Sequence, residues 1–198
     1  MTLRLALAAA LVLALAPGLS FAAEWTPPAE AVARLERGEV HADVMTDPDG
    51  ADGLVHGAVD IDAPPAVVWA AILDCGRAGR MAPGIRSCRI TDRDPAGKWD
   101  VREMTVQWAP LTPVFRTVFR SEFDPGRRIR FRCVSGDVRF CEGLWRLEPL
   151  GRDRTRVVYQ NRASSPLSAP ALVTRAAMRR DVARALKALK RESESRLR

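Results

Sequence analysis

Histidine is nearly missing from this chain: His41 and His56 are the only two in 198 residues. Neither has a cysteine or aspartate at ligand spacing, so metal ligation and histidine-based catalysis find no support. The motifs G-x-S-x-G and H-E-x-x-H and the phosphate-binding loop are absent, which removes the common hydrolases, metallopeptidases and nucleotide-driven enzymes. No C-x-x-C spacing occurs among Cys75, Cys88, Cys133 and Cys141, so thioredoxin-type redox chemistry has no anchor. The expectation is therefore no metal, no cofactor and no catalytic residue. Lysine is scarce as well. Only Lys98, Lys187 and Lys190 stand beside the many arginines, and the formal net charge is +7.

Long apolar runs are equally rare. The one that exists, Leu5 to Ala16, follows Arg4 and ends at Pro17-Gly18. Ser20-Phe21-Ala22 then places small residues at the two positions a signal peptidase reads. The run falls short of the roughly 20 residues a membrane span needs. Residues 1–22 thus read as a secretory signal, and the mature chain is expected to be secreted, in a periplasm. No cysteine follows the cleavage point, which argues against a lipid anchor. The remaining 176 residues suit one domain and can bury roughly 70% of their unfolded surface. Outside the cytoplasm nucleic acid is not an expected partner; the positive charge suits either a solvated surface or an anionic membrane. A monomer is expected.

Residues 27–37 read as a short amphipathic helix after two prolines, and Asp47-Pro48-Asp49-Gly50 as a turn. From Leu54, Val55, Gly57, Val59 and Ile61 alternate with His56, Ala58 and Asp60, the pattern of a strand. Pro64-Pro65 ends it and pre-sets a helix through Leu73. A glycine-broken stretch, 76–84, leads to a strand over Ile85 to Arg93. Five more strand candidates follow: Val101 to Trp108, Val114 to Phe123, Arg128 to Ser135, Phe140 to Pro149 and Thr155 to Asn161. Their separators are turn chemistry spaced for antiparallel hairpins. Met104, Phe119, Phe131, Trp145 and Tyr159 mark one face; Arg116, Arg120, Arg128, Arg130, Arg132, Arg146 and Arg156 mark the other. Acids such as Asp60/Asp62 and Glu142/Glu148 fall at strand edges or outward positions and read as solvated. A last helix spans about Ser168 to Arg191, with Ala171, Thr174, Met178, Val182, Ala185 and Leu189 in one stripe.

Four cysteines allow three pairings. Cys133 and Cys141 flank Ser135-Gly136-Asp137, and a three-residue loop at Gly136 to Val138 would set them opposite one another. Cys75 and Cys88 then remain for each other across a short loop.

Strand, short helices, antiparallel meander and one long C-terminal helix form the helix-grip order, an α+β fold in which a curved sheet wraps that helix. The motifs agree. Val59-Asp60-Ile61-Asp62-Ala63-Pro64-Pro65-Ala66-Val67-Val68-Trp69 resembles the entry strand and first helix of START-like polyketide cyclase/dehydrase and lipid-transport proteins, the SRPBCC superfamily. Met81-Ala82-Pro83-Gly84-Ile85-Arg86-Ser87-Cys88 resembles the segment where that superfamily leaves its helix pair for the next strand. Gly143-Leu144-Trp145-Arg146-Leu147-Glu148-Pro149-Leu150 resembles its penultimate strand, and the coenzyme Q-binding branch is a near relative in this pattern. The likeness covers residues 53–191. Residues 23–52 form an N-terminal helix and linker, and 192–198 a frayed tail. The superfamily includes lipid carriers, quinone binders, cyclases and protein-interaction modules, so it implies a fold and a choice of functions.

In such a fold a curved sheet leaves an apolar cavity under its helix. The expected lining is Trp69, Met104, Trp108, Phe115, Phe119, Phe131, Trp145, Tyr159, Met178 and Val182, with Arg102 and Tyr159 as polar contacts to a ligand carbonyl. A secreted carrier of a lipid, quinone or polyketide-like molecule is the leading expectation. A cyclase or dehydrase using Tyr159 or Arg102, and an interaction module without ligand, are the rivals.

Overall fold

The computed structural model describes residues 24–48, 51–82, 84–107, 110–166 and 169–197. The signal-peptide reading and Trp108 lie outside the described residues. In chain order the elements are α1 (Ala29–Glu36), β1 (Val40–Met45), β2 (Gly53–Ile61), α2 (Pro65–Leu73), a 3₁₀ turn (Cys75–Arg77) and α3 (Ala78–Met81). Then follow β3 (Ile85–Arg93), β4 (Trp99–Val106), β5 (Phe115–Asp124), β6 (Arg128–Gly136), β7 (Cys141–Pro149), β8 (Thr155–Ala163) and α4 (Ala171–Ser195). The strands make one eight-stranded antiparallel sheet in the order β1-β2-β8-β7-β6-β5-β4-β3. The central meander is thus a run of hairpins, and the chain's first strands close against its last.

Residues 23–52 hold more than a helix and linker. β1 pairs with β2 from Val40↔Val59 to Met45↔Leu54, and Val40, Ala42 and Val44 alternate along it with His41 and Asp43. α1 buries Ala31 and Leu35 nearby. At the other terminus α4 continues to Ser195, through residues expected to fray. Glu192 and Ser193 are buried; Glu192 pairs with Arg77, and Arg196 with Asp74. These ion pairs tie the end of α4 to the turn after α2.

Pro65 starts α2 in the first helical turn, where its missing N–H costs nothing. α2 caps one end of the helix–sheet interface. Beneath it Val59, Ile61, Val68, Ala71, Leu147, Val157, Leu186 and Leu189 form a closed core. α4 lies directly on β2 because β2 offers glycines there. A Cβ on Gly57 would sit 2.8 Å from Leu186 Cδ1, and one on Gly53 would sit 2.8 Å from Met178 Sδ.

Both expected disulfides, Cys75–Cys88 and Cys133–Cys141, are present. The β6–β7 loop is longer than expected, because β6 runs to Gly136 and β7 starts at Cys141. The β6–β7 register stops at Arg132↔Glu142. The Cys133–Cys141 bond therefore spans the sheet where β6 stays with β5 and β7 stays with β8.

The outer, convex face is less solvated than the sequence implies. Asp60 is fully buried and accepts from Arg156 at 2.7 and 2.9 Å and from Arg154 at 3.3 Å. This corrects the expectation of a solvated acid: a buried carboxylate is retained only when paired. Glu24 reaches Arg128, Arg130 and Arg146. Trp25 stacks on His56 with centroids 4.7 Å apart and on His41 at 5.5 Å. Burial pushes both imidazole pKa values down. The two histidines thus seat an N-terminal strap on the back of the sheet, away from the cavity described below.

Candidate functional site

The concave face is built by alternation. Register places Ser121, Phe131, Gly143, Asn161 and Val55 in one row across five strands, and Trp145 beside Tyr159 in the next. α4 lies over these rows with Thr174, Ala177, Met178 and Val182 facing them. Small side chains on the helix cannot fill a curved sheet, and a cavity of about 680 Å³ remains. That volume lies within the roughly 300–1,000 Å³ typical of small-molecule sites. The lining is mainly apolar, and 164–166 and Ala169 form part of it where β8 turns into α4.

Phe131 is the shelf of this chamber. Its ring lies across β7 at Gly143, where a Cβ would meet Phe131 Cζ and the Gln160 carbonyl oxygen. It stacks on Tyr159 with centroids 6.2 Å apart and an interplanar angle of 12°. Tyr159 meets Trp145 at 4.4 Å, and Phe119 meets Phe131 edge-on at 6.3 Å.

Two polar stations interrupt the apolar wall. Arg102 is buried on β4, and its Nε and Nη2 both donate to Asp100 Oδ2, at 2.9 and 2.7 Å. Asp100 Oδ1 is buried without a partner. The pair is internally neutral, so it can offer a donor to a ligand carbonyl or hydroxyl without demanding an anion. On β8, burial pushes the Tyr159 phenol pKa well above its ordinary value, and the Asn161 side chain hydrogen-bonds it. The phenol therefore keeps its proton at neutral pH. Asn161 Oδ1 is buried and unpartnered, an acceptor that a ligand hydroxyl would satisfy. The described residues contain no cluster of His, Cys, Asp and Glu able to hold a metal ion.

Of the expected lining, Met104, Phe119, Phe131, Trp145, Tyr159, Met178, Val182 and Arg102 face the cavity. Trp69 and Phe115 do not. Trp69 packs against the closed core and edge-on to Phe123 at 6.0 Å, because α2 turns it toward the end it caps. Phe115 is buried at the start of β5, outside the cavity wall. Thr117, Ser121 and Asn161 belong to the lining and were not expected; alternation from Phe119 and Tyr159 identifies all three. Met81 and Ala82, on and just after α3, also reach the cavity, and strand periodicity carries no signal for them.

An antiparallel sheet closed over its last helix around an apolar chamber agrees with a family model that matches residues 61–190, polyketide cyclase/dehydrase and lipid transport. The chain belongs to this family. Solved structures show the polyketide cyclase/dehydrase and lipid transport fold in several settings. TTHA0849 from Thermus thermophilus is 23% identical, with a TM-score of 0.61 over 72% of this chain and 97% of that one. The Zhui aromatase/cyclase from Streptomyces sp. R1128 is 22% identical, with a TM-score of 0.60 over 73% and 95%. A STAR-related lipid transfer protein from Xanthomonas axonopodis is 18% identical, with a TM-score of 0.66 over 78% and 93%. At these identities the likeness concerns the fold. No curated protein matches the sequence significantly.

Proposed function

We propose that this family member is an exported carrier that holds a hydrophobic small molecule between its sheet and α4. The observation that carries the reading is the apolar cavity of about 680 Å³, floored by Phe131, Trp145 and Tyr159 and roofed by Met178 and Val182. Its ligand class is a lipid, quinone or polyketide-like compound with an oxygen function. Arg102 and Tyr159 donate to that oxygen, and Asn161 Oδ1 accepts from a hydroxyl. Export is supported by the leader-like sequence of residues 1–22 and by two disulfides. No described helix is long and apolar enough to cross a membrane.

A cyclase or dehydrase is the second reading, favoured by those same donors facing the cavity. The carrier reading is preferred because Tyr159 holds its proton tightly and Arg102 is already engaged by Asp100. Neither is poised to shuttle protons.

Native mass spectrometry of protein exported by its own host, followed by extraction, tests the reading. The expected result is a chain starting at Ala23, four hydrogens lighter than its reduced form, carrying an apolar compound released unchanged. Conversion of the extracted compound on re-addition would establish the enzyme instead. An empty protein that also fails to take up a fluorescent fatty acid or quinone analogue would overturn the carrier reading.

A further inference from the structure

Positive charge is distributed unequally between the sheet and α4. On the convex face Arg116 pairs with Glu103, Arg128 and Arg146 with Glu24, and Arg156 with Asp60. On α4, Arg179, Arg184, Lys187 and Arg191 are exposed. None has a carboxylate within ion-pair distance among the described residues, and Arg180 meets only its neighbour Asp181, at 3.2 Å. At 100° per residue these cations fall outside the stripe of Thr174, Met178, Ala185 and Leu189, and Arg184, Lys187 and Arg191 share a flank with Val173. The structure pairs most arginines of the sheet and leaves these cations of the helix without a carboxylate.

The same side of α4 begins with exposed apolar residues. Leu172 is 75% exposed and Val173 57% exposed, and Val173 also lines the cavity. At the same end of the sheet, the β4–β5 hairpin carries Leu111, 99% exposed, and Val114, 54% exposed. Register places both at one end of the sheet. Val106↔Phe115 closes the β4–β5 ladder, and Cys141↔Ala163 ends the β7–β8 ladder just before the connection to α4. Isolated apolar side chains around an opening, backed by a ladder of unpaired cations, suit a soft lipid interface better than a rigid protein partner.

We infer that α4 docks the protein on an anionic phospholipid surface with the cavity mouth turned toward the lipid. Leu172, Val173 and Leu111 enter the headgroup layer, and Arg179, Arg184, Lys187 and Arg191 lie along the phosphates. The inference rests on the carrier reading for its purpose, since docking brings the mouth to a source or sink of hydrophobic cargo.

Co-sedimentation of the full chain with phosphatidylcholine vesicles, with and without phosphatidylglycerol, tests it. The wild type is expected to bind only the anionic vesicles and to be released by salt. Arg184→Glu with Lys187→Glu should weaken binding by more than about twenty-fold, at about fivefold per cation lost. Leu172→Asp with Val173→Asp should weaken it through the apolar term. Arg128→Gln, at the far end of the sheet, should change nothing. Wild type that does not sediment, or binding that charge reversal leaves intact, overturns the inference. Capture of soluble polyglutamate without vesicle binding would assign the face to an acidic protein and also overturn it. Uptake of a fluorescent fatty acid by the same samples separates the two readings: uptake without vesicle binding sinks the docking face alone, and vesicle binding without uptake sinks the carrier alone.

Discussion

Under α2, the helix α4 presses Leu186 and Leu189 against Val59, Ile61, Leu147 and Val157, all nearly inaccessible to solvent. Two turns toward its N-terminus the same helix faces Phe131, Trp145 and Tyr159 across an open chamber. Both regions are apolar, and both join one sheet to one helix. They differ in coverage and in side-chain volume. The closed end has Val68 and Ala71 of α2 packed on Leu186 of the helix; the open end has Thr174 and Ala177, with Ile72 and Leu73 of α2 and Ala78 and Met81 of α3 only edging the chamber. Apolar composition alone therefore does not decide whether such an interface is core or cavity.

The sharpest way to break this comparison is a large-to-small change at each end. Leu186→Ala, at a fully buried site outside the cavity wall, should cost about 2–5 kcal/mol of stability by denaturant unfolding. Affinity for a fluorescent fatty acid should stay near that of the wild type. A combined loss of both would mean that the two ends are one cooperative unit.

The rim comes next. Cys133→Ser with Cys141→Ser opens the sheet where the β6–β7 register stops. The loop between the cysteines is short, so the cost should be about 2–3 kcal/mol. Cavity contacts at Phe131 and Trp145 should persist, and the double variant should still take up ligand. An unchanged melting temperature would show that this bond is not needed to hold the fork.

Filling the open end tests it from the other side. Met178→Trp should weaken ligand binding about tenfold or more while changing stability by less than about 1.5 kcal/mol, because the added volume enters empty space. Ligand binding unchanged by that substitution would place the ligand elsewhere.

The smallest expected effect lies at the C-terminal anchor of the closed end. The Arg77 guanidinium beside Glu192 holds its carboxyl below the usual range, and Arg196 does the same for Asp74. A depressed folded pKa gives stability that is present above the unfolded value and lost as pH falls through the folded one. The wild type should therefore lose melting temperature between pH 5 and pH 3 more steeply than Glu192→Gln. Partial solvent screening keeps the difference small. Parallel curves would remove the network from the stability of the fold.

The strands of the meander were legible because their period-two patterns are strong and their separators are turn residues. The same alternation placed Met104, Phe119, Phe131, Trp145 and Tyr159 on the cavity side. Trp69 misled because an aromatic on a short helix has two places to go, and only the position of α2 decides between them. β1 carries a readable alternation, Val40, Ala42 and Val44 against His41 and Asp43, but over only six residues, and it gains its order from β2. Asp60 looked like a solvated acid and Glu192 fell in a tail expected to fray; their partners Arg156 and Arg77 lie about a hundred residues away along the chain. The docking of Trp25 on Gln160 has the same origin, a contact across 135 residues. Local pattern carries no record of such meetings.

The bare backbone at Gly53 and Gly57 has a consequence for how this protein can diversify. Because α4 closes onto β2 at Gly53 and Gly57, with Val55 and Val59 on the same face, its seat is set by β2 rather than by the residues that floor the chamber on β4 to β7. Substitutions at Met104, Phe119, Ser121 or Phe131 can remodel the interior while the roof stays where it is. A lineage built on this frame can change cargo by small steps, each one tolerated, and a mutational scan should find those four positions permissive and the two glycines intolerant.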